Sequence, residues 1–196
     1  MQSAMNWQTI QLSQVTSTPW KNGGGVTREL VAWPNNDNWD WRMSVAEVAS
    51  DGGFSKFEGV ERWFSVLSGN GVQLQVDDTF QTLTVSSAPF RFDGQAAVEC
   101  KLISGATQDF NLMTRSTNAT GVMRRLSSDF DMMLNDTKII AIYAIKTPAT
   151  AVFYENKVKN KLVIDADTLV WCKVPAETRL ELATFNALWI EIEPCN

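Results

Sequence analysis

The chain reads as an all-β protein, and three observations carry that reading. Apolar and polar residues alternate over short runs, turn residues separate the runs at short intervals, and no long amphipathic helical pattern is present. The runs fall into two successive sets. The expectation is therefore two β-barrels or sandwiches fused in a chain of 196 residues.

The elements follow in order. Trp41 to Ala49 alternates Trp41, Met43 and Val45 with Arg42 and Ser44. Arg62 to Leu67 leads through Ser68-Gly69-Asn70-Gly71 into Val72 to Val76, which is strand, Gly-rich turn and strand. Phe80 to Val85 and Ala97 to Ile103 complete the first set, the latter after the turn at Asp93-Gly94. The second set is Lys138 to Ile145, Ala151 to Tyr154, Lys161 to Ile164, Thr168 to Val174, Thr178 to Ala183 and Ala187 to Ile192. In Thr178 to Leu182, Leu180 and Leu182 alternate with Arg179 and Glu181, as on a half-buried strand. The best helical candidate is short and Asp-rich, from Ser127 to Leu134. Polar Ser116 to Gly121 reads as a linker, dividing a unit over residues 1–115 from a unit over 116–196. The sequence repeat between the two is faint.

Composition narrows the function. Hydrophobic residues make up 44% and charged residues 20%, as in a packed globular protein. Net charge is −5, and the one basic cluster (Lys157, Lys159, Lys161) reads as a solvated turn, so no nucleic-acid role is expected. The longest apolar stretch, Ile139 to Ile145, is far too short to span a bilayer, and Met1-Gln2-Ser3-Ala4 has no signal-peptide character. Cys100, Cys172 and Cys195 are odd in number and scattered, which fits a reducing, cytoplasmic setting with Cys100 and Cys172 as buried apolar residues. The chain contains no histidine, so no transition metal and no cofactor is expected.

Four segments hold candidate binding residues. The first is Pro19-Trp20-Lys21-Asn22-Gly23-Gly24-Gly25-Val26-Thr27-Arg28-Glu29, in which three glycines are flanked by Lys21 and Arg28. It lacks the Gly-Lys-Ser/Thr ending of a phosphate loop. A tight strand entry with solvated charges and an anion-binding loop are both open for it. The second is the strand around Arg42, an arginine among apolar residues that is either wet or paired with a carboxylate. The third runs from Asp51 to Arg62 with Phe54 and Phe57. Its adjacent Glu61 and Arg62 must point to opposite strand faces. The fourth runs from Gly105 to Arg115. As a strand it puts Asp109, Asn111 and Met113 on one face, and Phe110, Leu112 and Thr114 on the other.

These segments, as Pro19-Trp20-Lys21-Asn22-Gly23-Gly24-Gly25-x-Thr27-Arg28-Glu29, Asp40-Trp41-Arg42-x-Ser44-x-Ala46, Phe54-Ser55-x-Phe57-x-Gly59-x-x-Arg62 and Asp109-Phe110-Asn111-Leu112-Met113, resemble the HutD/Ves family. The resemblance covers residues 19–115 and implies a compact bicupin, two cupin-type barrels with the pocket in the first. It also implies a link to histidine utilisation or stress response and no established enzymatic activity. Glu61 and Gln95 depart from the family pattern, which is an aspartate at the first position and an acid at the second.

The expected function is binding or regulation by a small anionic metabolite, with a homo-oligomer compatible with it. Lys21, Arg28, Arg42 and Arg62 are the anion donors. Asn22, Glu61, Asp109 and Asn111 are the polar readers, and Trp20, Phe54 and Phe57 the apolar walls. The alternatives are a metal-independent isomerase or lyase using a buried carboxylate, and a protein-interaction module with a vestigial pocket.

Overall fold

The structure, a computed structural model, describes residues 5–155 and 158–195. Strand β1 (Gln8–Gln11) precedes a single 3-10 turn, Leu12–Gln14. A hairpin of β2 (Thr18–Pro19) and β3 (Gly25–Trp33) follows. Then come β4 (Trp41–Val48), β5 (Gly52–Gly53), β6 (Val60–Ser68), β7 (Val72–Val76), β8 (Thr79–Leu83), β9 (Phe90–Asp93), β10 (Val98–Leu102) and β11 (Thr107–Arg115). Eight more complete the chain: β12 (Ala119–Leu126), β13 (Phe130–Met133), β14 (Lys138–Ala144), β15 (Ala149–Glu155), β16 (Val158–Ile164), β17 (Thr168–Val174), β18 (Arg179–Ala183) and β19 (Ala187–Pro194).

The internal repeat is plain in topology although faint in sequence. The first set forms sheets in the order β4-β11-β6-β9 and β5-β10-β7-β8. The second forms β12-β19-β14-β17 and β13-β18-β15-β16. Adding eight to each strand number of the first set produces the second. Both are the eight-strand jelly-roll order, the arrangement of cupins. β2 and β3 extend the first sheet beyond β4, and β1 extends the second set beyond β17.

Two compact units result among the described residues, one over 15–121 with 195, the other over 5–14 with 122–194. The expected divide after residue 115 therefore moves to 121. Residues 8–11 belong with the second unit, because β1 pairs with β17 from Gln8 opposite Trp171 to Gln11 opposite Thr168. Ser116 to Gly121 is not a linker throughout, since β12 begins at Ala119. Its small residues suit a crowded place: a Cβ on Gly121 would meet Leu112 and Thr114 side chains at 3.0 Å. The helical candidate is also corrected. Phe130–Met133 is a strand paired with β18 from Phe130 opposite Leu182 to Met133 opposite Arg179. Lys159 and Lys161 lie on β16 rather than a loop, and Lys157 lies outside the described residues.

Each unit has its own core. In the first, Val48, Phe64, Val66, Val72, Leu74, Leu83, Phe92, Val98 and Cys100 pack between the sheets. In the second, Trp189, Phe153, Ile140, Ile142, Leu180, Leu182 and Cys172 do so, with Phe130 against Trp189 at 5.0 Å between ring centroids. The larger sheets are buried on both faces (Trp41, Met43 and Val45 in one, Ala141 and Tyr143 in the other). This explains the unbroken apolar run at Ile139 to Ile145. No helix among the described residues is long and apolar enough to cross a membrane.

Candidate functional site

The first unit encloses a cavity of about 480 Å³. Its floor comes from strand register. Arg42 lies opposite Met113, which lies opposite Arg62, which lies opposite Phe92. One step along, Ser44, Asn111 and Phe64 are opposite one another. Direct partners on antiparallel strands share a face, so β4, β11 and β6 deliver these side chains together.

The rim comes from two loops. The β2–β3 turn closes through Trp20 N–H to Gly25 O at 2.9 Å and Gly23 N–H to Trp20 O at 3.0 Å. Trp20 Nε1 donates to Thr27 Oγ1 at 2.7 Å, and Asn22 Oδ1 accepts from Gly24 N at 3.0 Å. Gly25 is required by contact: a Cβ there would meet Glu47 O at 2.2 Å and the Trp20 ring at 3.2 Å. Gly25→Ala is expected to cost ~1–3 kcal/mol of stability, since a backbone oxygen cannot swing away. A denaturant midpoint equal to that of the parent would refute this. The second loop follows β5. Phe54 N–H to Val98 O at 2.9 Å and Phe57 N–H to Gly94 O at 2.7 Å hold its two rings over the floor.

Arg62 is the centre. It is 6% exposed. Nη1 donates to Ser55 O at 3.3 Å and Nη2 to Asn111 Oδ1 at 3.2 Å, while Nε has no partner. Its guanidinium carbon lies 5.4, 5.6 and 5.0 Å from the centroids of Phe54, Phe57 and Phe92. Among the described residues it has no carboxylate partner. Burial, and then the nearby Arg42 charge, lower its pKa from 12.5 to about 10, so it remains cationic at neutral pH.

Arg42 faces the same cavity but is paired. Its Nε lies 2.7 Å from Glu29 Oε2, an ion pair by distance rather than an aligned hydrogen bond. Lys21 is exposed at the rim and makes no ion pair among the described residues.

Of the residues expected from sequence, Trp20, Lys21, Asn22, Arg42, Phe54, Phe57, Arg62 and Asn111 line this one cavity. Three do not. Arg28 points away, opposite Val45, and bonds Glu47 at 2.9 Å. Glu61 lies on the face opposite to Arg62, where it accepts from Trp63 Nε1 at 3.2 Å and pairs with Arg91 at 3.3 Å. Asp109 has the correct facing but sits too far along β11, fully buried, with Oδ2 accepting from Thr107 Oγ1 at 2.8 Å and Oδ1 unpartnered. Glu61→Gln is accordingly expected to leave anion binding unchanged. A titration with the anions that shift the parent protein checks this.

Thr27, Ser44, Ser55, Phe64 and Met113 also line the cavity and are absent from the ligand set read from sequence. The signal was period two: Ser44 and Phe64 each stand two residues past an arginine that was noticed.

The lining does not fit a transition metal. It offers two guanidinium groups, an ammonium, hydroxyls and amides, and no imidazole, thiolate or carboxylate. No group of three His, Cys, Asp or Glu converges anywhere among the described residues.

The second unit has Trp189, Phe130 and Phe153 in its core. Trp189 is fully buried, and its Nε1 donates to Glu191 at 3.1 Å. Glu191 also pairs with Lys138 at 3.0 Å. There the buried charge is compensated, whereas in the first unit it is not.

Comparison with known proteins places this geometry. A family model described as HutD matches residues 12–190. An uncharacterized 21.2 kDa protein in the hutC 3′ region of Pseudomonas putida is 39% identical over 108 residues, 54% of this chain and 57% of that protein. Protein Ves of Escherichia fergusonii is 36% identical over 107 residues, 54% and 56% of the two chains. The chain thus spans about half the length of the curated relatives it matches. The structure of HutD from Pseudomonas fluorescens SBW25 superposes with a TM-score of 0.84 at 23% identity, covering 97% of this chain and 100% of that one. Oxalate decarboxylase from Lactobacillus farciminis, a formate complex, superposes with a TM-score of 0.66 at 7% identity, covering 98% and 87%. At such identities these two likenesses concern the fold.

Proposed function

This chain belongs to the HutD family, and we propose that its first unit reversibly binds a small organic anion, a carboxylate metabolite, without turning it over. The observation that carries the reading is Arg62: a buried guanidinium with an unpartnered Nε, no carboxylate partner among the described residues, and an open cavity beside it. Burial and then the neighbouring Arg42 charge disfavour the Arg62 cation, and the phenyl rings and two neutral acceptors supply no counter-charge. A carboxylate entering the cavity supplies the missing counter-charge in a strong charge-assisted contact. The position of the P. putida relative in the hutC 3′ region extends the proposal to a metabolite of histidine utilisation.

The enzymatic alternative has less support. Asp109 titrates at about 7, raised by burial, but it does not line the cavity. Glu47 and Glu61 are bonded elsewhere, and Glu29 is held by Arg42.

The test is a thermal-shift series of small carboxylates, each beside its neutral amide. Stabilisation by acids and not by amides is expected. Equal shifts, or none, would overturn the reading.

A further inference from the structure

The cavity contains two guanidinium groups, and the structure treats them differently. Arg62 has no acidic partner among the described residues, while Arg42 is neutralised by Glu29, a residue that does not itself line the cavity. Resting on the anion-binding reading above, we propose that Glu29 is a specificity-determining residue: it cancels the Arg42 charge and so restricts the inner cavity to ligands with one negative charge.

The backbone explains how Glu29 reaches Arg42. β3 runs in register with β4 from Gly25 opposite Val48 to Glu29 opposite Ser44, and the register then shifts between Glu29 and Val31. Leu30 is the extra residue, as in a β-bulge. After the shift, Ala32 stands opposite Arg42. A small side chain beside Arg42 leaves room for the Glu29 carboxylate to approach from the neighbouring inward position. The contact is made at Nε of Arg42, 2.7 Å from Glu29 Oε2, and no hydrogen bond from Nη1 or Nη2 is formed among the described residues. The Arg42 fork therefore remains available to a ligand for hydrogen bonding, while its net charge is already compensated.

Charge counting gives the consequence. Arg42 and Arg62 bring two positive charges, Glu29 removes one from behind the lining, and the lining itself holds no acid. Lys21 is exposed to solvent at the rim, where water and salt screen it. The side chains of Arg42 and Glu29 are 21% and 31% exposed, so their pair is only partly screened. A second ligand carboxylate entering the inner cavity meets a guanidinium whose charge is already matched.

Succinate is propionate with a second carboxylate added at its terminal carbon, so the two are the probes. Binding of each is measured by titration to the full chain, for the parent, Glu29→Gln and Glu29→Asp. Glu29→Gln keeps size and polarity but uncovers the Arg42 charge. It is expected to raise the ratio of succinate to propionate affinity roughly tenfold, the effect of one added charge a few ångströms away at an intermediate effective dielectric. Glu29→Asp keeps the charge and is expected to leave the ratio near that of the parent. An unchanged ratio in Glu29→Gln, with propionate still binding the parent, overturns the role of Glu29 and leaves the anion site standing. Equal loss of both anions in Glu29→Gln also overturns it, since Glu29 then only holds Arg42 in place. Failure of both anions to bind the parent overturns this inference and the binding reading together.

Discussion

Arg62→Met is expected to abolish the stabilisation that small carboxylates confer, with the ligand-free melting temperature unchanged or raised. The two halves of this result have separate causes. Removing a buried guanidinium from an anion leaves the anion unpaired in a partly dry cavity, at a cost of roughly 2–5 kcal/mol of binding. The folded protein loses little without ligand, because Arg62 is 6% exposed with no ion-pair partner among the described residues and already bears a desolvation penalty. Methionine is close to arginine's stem in shape and packs well against Phe54, Phe57 and Phe92. Replacing buried charge by apolar volume is commonly neutral or stabilising by ~1–4 kcal/mol. What is lost is the bonding to Ser55 O and Asn111 Oδ1. The opposite outcome, a steep fall in apo stability with the carboxylate response intact, would make Arg62 a structural residue.

Asp109→Asn is expected to remove most of the pH dependence of stability between about 4 and 7. Burial raises the Asp109 pKa from its ordinary 3.8 to about 7, against the lowering effect of the Thr107 hydroxyl. In that window the folded state holds a proton that the unfolded state releases, so stability falls as pH rises and levels off above pH 7. About three pKa units correspond to ~4 kcal/mol at most. The groups near it do not reverse this: Val66 and Ala46 flank it on the sheet. Cys100, whose own pKa burial and then the Asp109 charge push up to about 12, stays a neutral thiol. Asparagine mimics the protonated acid, so the variant is expected to gain on the parent steadily from pH 4 to 7 in urea denaturation. Parallel profiles for the two proteins would sink this account.

The strand pattern was legible because period-two alternation and turn residues are local. Val72–Val76 and Thr168–Val174 emerge with the expected bounds. Ser116 to Gly121 failed because small polar residues form a linker or a crowded strand equally well. Only the neighbours Leu112 and Thr114 decide which.

In the site, alternation alone established that Glu61 and Arg62 face opposite ways and that Asp109, Asn111 and Met113 share a face. Composition alone removed histidine from any ligand set. Tertiary structure decided which of the two faces looks inward, because burial belongs to the sheet as a whole and not to the strand. It also decided depth: Asn111 lines the cavity, while Asp109, on the same face, lies outside its lining. The Glu29–Arg42 pair is likewise invisible in sequence, since it depends on a one-residue register shift between strands that no local pattern encodes.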